Sequence, residues 1–364
     1  MRKKLLILLA LVMVFTLAFS ACGGGSGEGS GEGSGEAPVE NPEDNTVYTL
    51  TLTTHDTPES AAVAYQTQWA EMVKEKSGGR LIVEIYPSAA LAKPTETVDF
   101  VRDGTVDLGW GLPHFYPGIF PLIDVISLPM VGLSSSELTT RVLWDLYNEF
   151  PEMQNEWSDF KVIGFRANCD VPITSGKVKV EKLSDMKGWN IRGVSGPPND
   201  FITAIGASPV NVPVADVYSA LQNSTLDATV SDWHAVLSFR MYEAAKYYAD
   251  EQITVNSFYF IMNKDSYNNL PADLQAVIDD CSGQAMVDLD IDIFDRVEEE
   301  TKELIKSNGG EIYNLSPEAR AEMQALADQV VANWIKTQSD AGYPAQEMYD
   351  RMLELIEEWS AKIN

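Results

Sequence analysis

Arg192 closes a short apolar stretch, LSDMKGWNIRG (183–193), and carries the chemistry that residue type and spacing single out in this chain. Its guanidinium is a planar fork suited to gripping a carboxylate through two parallel charge-assisted hydrogen bonds. An organic acid is the natural partner; pairing with a surface Asp or Glu is the alternative. Residues for covalent chemistry are wanting. The three histidines, His55, His114 and His234, show no HExxH spacing and there is no CxxC pair, so neither a zinc hydrolase, a zinc knuckle nor a thioredoxin-like site is supported. No G-x-S-x-G elbow occurs, and the glycine-rich run near the N-terminus precedes no helix that could cradle a phosphate. Carboxylate pairs are too common in so acidic a chain to mark a glycosidase. Binding without catalysis, and without a cofactor or metal, is the leading class.

Such a group needs a framework. Residues 46 to 364 number 319, more than one compact core usually takes, so two lobes are expected. Tyr48, Leu50 and Leu52 alternate with threonines as a strand, and the spacing over 57–77, with Trp69 and Met72 inward, predicts a helix closed by Gly78-Gly79. A strand at 81–86, a helix ending at Asp103-Gly104 and a strand at 106–112 follow. This β-α-β-α-β order implies parallel strands with crossover helices. A capping box from Ser134 to Glu137 opens a helix containing Trp144. Further strands are expected at 161–166, 173–177, 189–193 and 209–212, with helices at 199–205 and 215–223. A long strand over 252–262 would run between lobes. The 271–307 stretch has no interior proline and reads as one very long helix or two continuous ones, a brace across the lobes. Helices over 317–338 and 344–361 end the chain.

Ligands of open α/β sheets collect at the carboxyl ends of strands. On that rule His55, Asp56 and Trp110 face a cleft; His114 on the next loop is either a ligand group or a satisfied surface histidine. Phe258 and Tyr259, on the strand returning between lobes, are either cleft contacts or packing residues.

The N-terminus addresses the chain to a membrane face. Arg2, Lys3 and Lys4 precede an apolar run from Leu5 to Phe19, too short for a comfortable span and of signal-peptide length. The sequence Phe19-Ser20-Ala21-Cys22 resembles a bacterial lipoprotein signal, with residues 1–21 removed and Cys22 acylated. Ordinary secretory cleavage near Ala21, leaving a free thiol, is the alternative. Residues 22–45 are rich in Gly, Ser and Glu and form a flexible tether with a reach of roughly 25 to 30 Å. Cleavage removes three of the 26 basic residues and none of the 54 acidic ones, leaving a formal charge of −31. Nucleic acid is a poor partner for such a chain, because phosphate binding needs clustered cations. An anionic ligand would have to find a locally positive site. Cys169 and Cys281 read as buried, unpaired thiols; a disulfide between them is the alternative in an oxidising compartment.

Six segments recur in one order: LTLTTHDTPES, YPSAALAKPTETVDFVRDGTVDLGWG, FPLIDVISLPMV, LSDMKGWNIRG, GASPVNVPVADVYSALQNSTLDATVSDW and NKDSYNNLPADLQAVI. Over residues 46 to 364 the chain resembles the DctP-like extracytoplasmic solute receptors of TRAP transporters. It departs from their pattern at Asp227-Ala228, where the family usually has Asp-Gly. The resemblance implies an α/β fold: a two-lobed periplasmic-binding-protein-like clamshell with a long lobe-spanning helix. Lobe I would comprise 46–168 plus 258–297, and lobe II 169–257 plus 298–364 with the C-terminal helices. It also implies capture of an organic acid between the lobes and delivery to the membrane subunits of a TRAP permease.

In that family the arginine of the K-G-x-x-[IL]-R segment grips the substrate carboxylate, and it matches Arg192. A second arginine of the sialic-acid-type members falls near Val171 and is missing; Arg166, five residues earlier, is expected to point elsewhere. This favours a monocarboxylate, aromatic or hydroxy/keto acids included, over a dicarboxylate. Asn168 and Asp170 are implied as further polar contacts. Asp232 and Trp233 follow a strand at the interlobe crossing, where the family contributes ligand contacts. Trp233 would offer a flat wall, core packing being its alternative, and Asp232 would accept from hydroxyls or help hold a cation as in keto-acid and lactate receptors. A lipid-anchored, extracytoplasmic receptor at the cell membrane is the resulting expectation. A sugar or peptide receptor of an ATP-driven importer shares the architecture and is the competing reading; it would not depend on Arg192.

Overall fold

The alternating stretch YTLTLT forms strand β1 (Tyr48–Thr53), which buries Leu50 and Leu52 while Thr49 stays exposed and Thr51 half-buried. The computed structural model describes residues 45–168 and 171–363, without the side chains of 291, 292 and 295. The expected signal, nearly all of the tether, Cys22, Cys169 and Asp170 lie outside the described residues. After β1 come α1 (Ala61–Lys76), β2 (Leu81–Tyr86), α2 (Thr97–Arg102), β3 (Leu108–Gly111), α3 (Ser136–Glu149), α4 (Pro151–Glu156) and β4 (Phe160–Ala167). The middle of the chain forms β5 (Ile173–Ser175), β6 (Asn190–Arg192), α5 (Pro197–Ala204), β7 (Ser208–Val210), α6 (Val217–Gln222), β8 (Ala228–Val230), α7 (Trp233–Ser238) and β9 (Tyr247–Ala249). It ends with β10 (Ser257–Asn263), α8 (Lys264–Asn268), α9 (Ala272–Asp280), α10 (Gln284–Ser307), β11 (Glu311–Tyr313), α11 (Pro317–Asp340) and α12 (Ala345–Ile363).

These strands build two sheets, one per lobe. The first has the order β2-β1-β3-β10-β4 and the second β11-β9-β5-β8-β6-β7. In the first, β1 runs parallel to β2 and β3, while β10 runs antiparallel to β3 and β4. In the second, β6 lies parallel between β7 and β8. The chain crosses between the sheets after β4 and again before β10. At the crossing the Asn168 N–H donates to the Asn256 carbonyl at 3.1 Å, and the Asn256 N–H donates to Asn168 Oδ1 at 2.6 Å.

Several expectations are corrected at element ends. The strand expected over 252–262 starts only at Ser257, because the preceding segment binds the 127–130 loop instead of a sheet: Thr254 Oγ1 donates to the Ser127 carbonyl at 2.7 Å and Met130 N–H to the Ile253 carbonyl at 3.2 Å. Of the two readings of 271–307, one very long helix or two in succession, the structure has two, α9 and α10. They part at Gly283, whose φ of +63° suits glycine and whose N–H donates to the Ile163 carbonyl at 2.7 Å. A Cβ there would lie 2.7 Å from the Trp144 ring. The helix cap near 134 is Ser135, which accepts from Leu138 N–H; with a leucine at that third helical position, the capping box expected from Ser134 to Glu137 does not form. Likewise α1 begins after its cap Ser60 and not at Thr57.

α10 is the expected brace. At about 1.5 Å per residue its 24 residues span roughly 36 Å; it packs on α1, α3 and β4 of lobe I and on α7 and β11 of lobe II. The C-terminal helices, expected together on lobe II, divide. Ala319, Met323, Ala327 and Val330 of α11 enter a lobe II core, while its Val331 and Trp334 reach a lobe I core. The buried stripe of α12, Ala345, Met348, Met352 and Leu355, joins Leu138, Val142 and Leu143 of α3 and so belongs to lobe I. Cys281 is buried and carries a free thiol.

Candidate functional site

Arg192 ends β6, a strand paired on both sides, and its side chain is 5 % exposed. Its Nε donates to the Val212 carbonyl and its Nη1 to Ser231 Oγ, both at 3.3 Å. Ser231 is held in turn by Thr229, with 2.7 Å between the hydroxyl oxygens. Among the described residues no carboxylate forms an ion pair with Arg192. Burial lowers its pKa to about 10, partly offset by the Asp232 charge, so the guanidinium stays protonated at neutral pH. A buried cation bonded only to neutral oxygens is electrostatically incomplete, and an anion would complete it.

Arg166 is the opposite case. It is equally buried, yet its Nε donates to Asp290 Oδ1 at 2.6 Å and its guanidinium lies 3.4 Å from the centroid of the Phe294 ring. Asp290 also accepts from Ser136 and Thr140. Its charge is satisfied within the fold.

A cavity of about 560 Å³ lies against Arg192 and takes its walls from both lobes. Lobe I supplies His55, Pro94, His114 and Phe115; lobe II supplies Arg192, Asn199, Asn211, Val212 and Val214. His55, just past the end of β1, sets its ring at 86° to that of Phe115 with centroids 5.7 Å apart. His114 is buried, with Nε2 at 3.1 Å from Ser127 Oγ and 3.5 Å from Asp124 Oδ1. Burial lowers its pKa to about 4, so the ring is neutral at pH 7. The Nδ1 atoms of both histidines and Asn199 Oδ1 are buried without a hydrogen-bond partner among the described residues. Below this wall, burial followed by the Asp200 charge raises the Asp124 carboxyl to about 8. Burial likewise raises Glu156 to about 8, against the N–H groups of Leu122 and Ile123 that bind it.

The expected site residues fall into three places. Arg192 and His55 share the cavity. Asn168, Asp232 and Trp233 surround a separate void of about 20 Å³, room for about one water. Both Asp232 oxygens are engaged there: Oδ1 caps α7 through Ala235 N–H and Oδ2 accepts from Asn168 Nδ2, each at 2.7 Å. Trp233 is buried against Tyr248, with ring centroids 5.8 Å apart, in a lobe II core. Trp110 stacks on Phe258 at 5.5 Å within the lobe I sheet packing. Tyr259 is buried on the other face of that sheet beside Trp157. Among the described residues no three His, Cys, Asp or Glu side chains gather to hold a metal. Asn199, Asn211 and Val212 were not singled out from sequence, although each stands within a few residues of a strand end beside Arg192.

Residues 52–338 match the bacterial extracellular solute-binding proteins, family 7 (DctP). Among curated relatives, the 2,3-diketo-L-gulonate-binding periplasmic protein YiaO of Escherichia coli K12 is 22 % identical over 57 % of this chain and 63 % of its own length. Among solved structures, a marine metagenome TRAP solute-binding protein specific for aromatic acid ligands, in complex with metahydroxyphenylacetate, is 28 % identical, covers 85 % of this chain and 98 % of its own, and superposes with a TM-score of 0.80. A TRAP solute-binding protein from Rhodoferax ferrireducens T118, holding copurified benzoate, is 25 % identical over 87 % of this chain and all of its own, with a TM-score of 0.81. Among the described residues no helix is long and apolar enough to cross a membrane.

Proposed function

Because the chain belongs to the bacterial extracellular solute-binding proteins of family 7, the DctP family, we propose that it is an extracytoplasmic receptor for a small organic monocarboxylate, aromatic acids foremost. It captures the acid between its lobes and delivers it to a TRAP-type permease. One observation carries this reading: Arg192 is buried, and without an ion pair among the described residues, at the wall of a cavity that is otherwise largely apolar. About 560 Å³ is within the usual range for small-molecule sites and suits a single ring with a short acid arm. Phe115, Pro94, Val212 and Val214 supply flat and branched apolar surface for such a ring. A dicarboxylate lacks a second buried cation, since Lys93 at the cavity is three-quarters exposed and pairs with Glu96. The benzoate and hydroxyphenylacetate bound by the two structural relatives support the same class.

In this reading Cys22 carries the lipid and the 22–45 tether leashes the receptor to the outer face of the cell membrane. Replacing Cys22 with Ala should release the protein from the membrane fraction into the medium or periplasm. For the ligand, calorimetric titration with benzoate should give binding that Arg192→Ala weakens by at least a hundredfold, as when one partner of a buried charged bond is truncated. Undiminished binding by that variant would remove the anchor from the proposal. Native mass spectrometry of the receptor with copurified ligand would name the acid.

A further inference from the structure

We propose that a carboxyl of lobe I, Asp124, and the N-terminus of the lobe II helix α5 form a proton-dependent seam beside the Arg192 cavity, so that drawing the lobes together on a ligand takes up a proton. The proposal rests on the receptor reading above and adds to it a coupling between capture and pH. Its basis is where the segment that follows Arg192 meets the other lobe. Ser195 Oγ donates to the His114 carbonyl, and at the next residue a Cβ on Gly196 would lie 2.8 Å from Asp124 Oδ2. Gly196 caps α5 with φ +78°, so its lack of a side chain serves both the backbone conformation and the close approach. Asp124 belongs to the short turn Ile123–Ser127, on which α5 packs.

A carboxylate is ordinarily welcome at a helix N-terminus because free N–H groups await it. Here they are missing or taken. Pro197 and Pro198 fill the first two positions and have no N–H, while the N–H groups of Asn199 and Asp200 donate to the Gly196 carbonyl at 3.0 and 3.1 Å. The titratable groups facing Asp124 give its charge no support either. His114 Nε2 lies 3.5 Å from Oδ1 but is neutral at pH 7, and Glu156 of α4 and Asp200 of α5 carry the same sign when ionised. Burial first, and the Asp200 charge second, hold the carboxyl up at about 8. The side chain is still 20 % exposed, which leaves its proton a path to solvent. A parting of the lobes would hydrate the group and return it toward its ordinary 3.8. Between those two values the closed form holds a proton that the open form lacks, so closure weakens as pH rises and stops changing above about 8.

The test is calorimetric titration of the full chain with benzoate, phenylacetate and mandelate, all ionised from about pH 6 to 9, in two buffers of different ionisation enthalpy. Binding at pH 7 should take up between about half a proton and one, and Kd should rise about fivefold or more from pH 6 to 8 and level off above. Arg192, protonated up to about 10, and His234, whose change lies below the ordinary histidine value, do not titrate in this range. Asp124→Asn, which keeps the shape and cannot ionise, should abolish both the uptake and the pH dependence and bind at pH 8 as tightly as the unaltered protein does at pH 6. Glu156→Gln, in place of a carboxyl that accepts from Leu122 within lobe I, should keep most of the dependence. If the Asn variant does not fold, the proton count on the unaltered protein decides alone. Arg192-dependent binding with no proton uptake, or an uptake that survives Asp124→Asn, overturns the proposal and leaves the receptor reading standing. Failure of all three acids to bind in an Arg192-dependent way overturns that reading, and the proposal with it.

Discussion

His234 of α7 accepts a hydrogen bond through Nε2 from the backbone N–H of Ala61 at 3.1 Å, so a side chain of lobe II satisfies the first turn of a lobe I helix. Ser60 caps α1 through Val63 N–H, and His234 takes the neighbouring orphan donor. A parting of the lobes to admit ligand would break this bond, which would then act as a latch on the closed state. It requires a neutral ring. Burial lowers the His234 pKa, against the raising charges of Asp232 and Asp56 and with the lowering ones of Arg166 and His55. A proton at Nε2 would set a donor against a donor at the positive end of a helix.

The first prediction concerns this latch. His234→Ala should raise Kd about five- to tenfold, the worth of one hydrogen bond, with most of the change in the dissociation rate. The sign of the pH effect follows from the lowered pKa: the latch is intact above the ordinary histidine value and is lost as pH falls through the lowered one. Stopped-flow dissociation of the unaltered protein should therefore accelerate on acidification, and that of the variant should lose this component. Identical dissociation rates in both proteins would mean that the bond does not hold the lobes.

Much of this arrangement was legible in the sequence. The strand ending at Arg192 and the crossover order of the first lobe follow from apolar periodicity and turn residues, and the missing second arginine is what the resemblance to the solute receptors implies. What was not legible depends on contacts between residues far apart in the chain. Asp232 looks like a ligand group from its neighbours, yet its two oxygens cap α7 and hold Asn168. Trp110 and Phe258 look like cleft aromatics at strand ends, yet they stack on each other across the β3–β10 ladder. The three-residue strands β9 and β11 exist through pairing in the second sheet, with too few residues to show a period. That α12 returns to lobe I is likewise a matter of which core its stripe of methionines meets.

The two buried arginines should respond oppositely to removal of their chemistry. Arg166 and Asp290 complete each other, so Asp290→Ala strands a buried cation and should cost roughly 3–5 kcal/mol of stability. Arg192 has no such partner among the described residues, so Arg192→Ala removes an uncompensated charge and should leave the empty receptor as stable as before or more so. Chemical denaturation of both variants without ligand is the measurement. A large loss from Arg192→Ala would mean that this arginine serves the fold.

Asp124 and Glu156 give the protein a pH dependence of definite sign. Each has a folded-state pKa of about 8 against ordinary values of 3.8 and 4.5. Between about pH 4 and 8 the folded state thus holds protons that the unfolded chain has lost, and stability falls as pH rises through that window. His114, lowered to about 4, acts the other way: it costs stability below the ordinary histidine value, in a window from about 6.5 down to 4. Asp124→Asn should flatten the alkaline side of the profile and raise Tm at pH 8 by a few degrees, on the order of 2–4 °C. A parallel downward shift at every pH would instead assign Asp124 a packing role.

The charge of the whole chain makes a last prediction about rates. The chain carries a formal charge of −28, which repels an anionic ligand at long range, while the attraction to Arg192 acts only inside a buried cavity. Salt screens the first and hardly touches the second; the Debye length falls to about 10 Å at 0.1 M ionic strength. Raising sodium chloride from low to physiological strength should therefore speed association of the carboxylate, about two- to fivefold, and leave its dissociation rate nearly constant. Most charged ligand pairs behave in reverse, because their steering is attractive. Stopped-flow association across a salt series reads the effect directly, and a rate that falls with salt would require a positive funnel at the cleft mouth that overrides the acidic body.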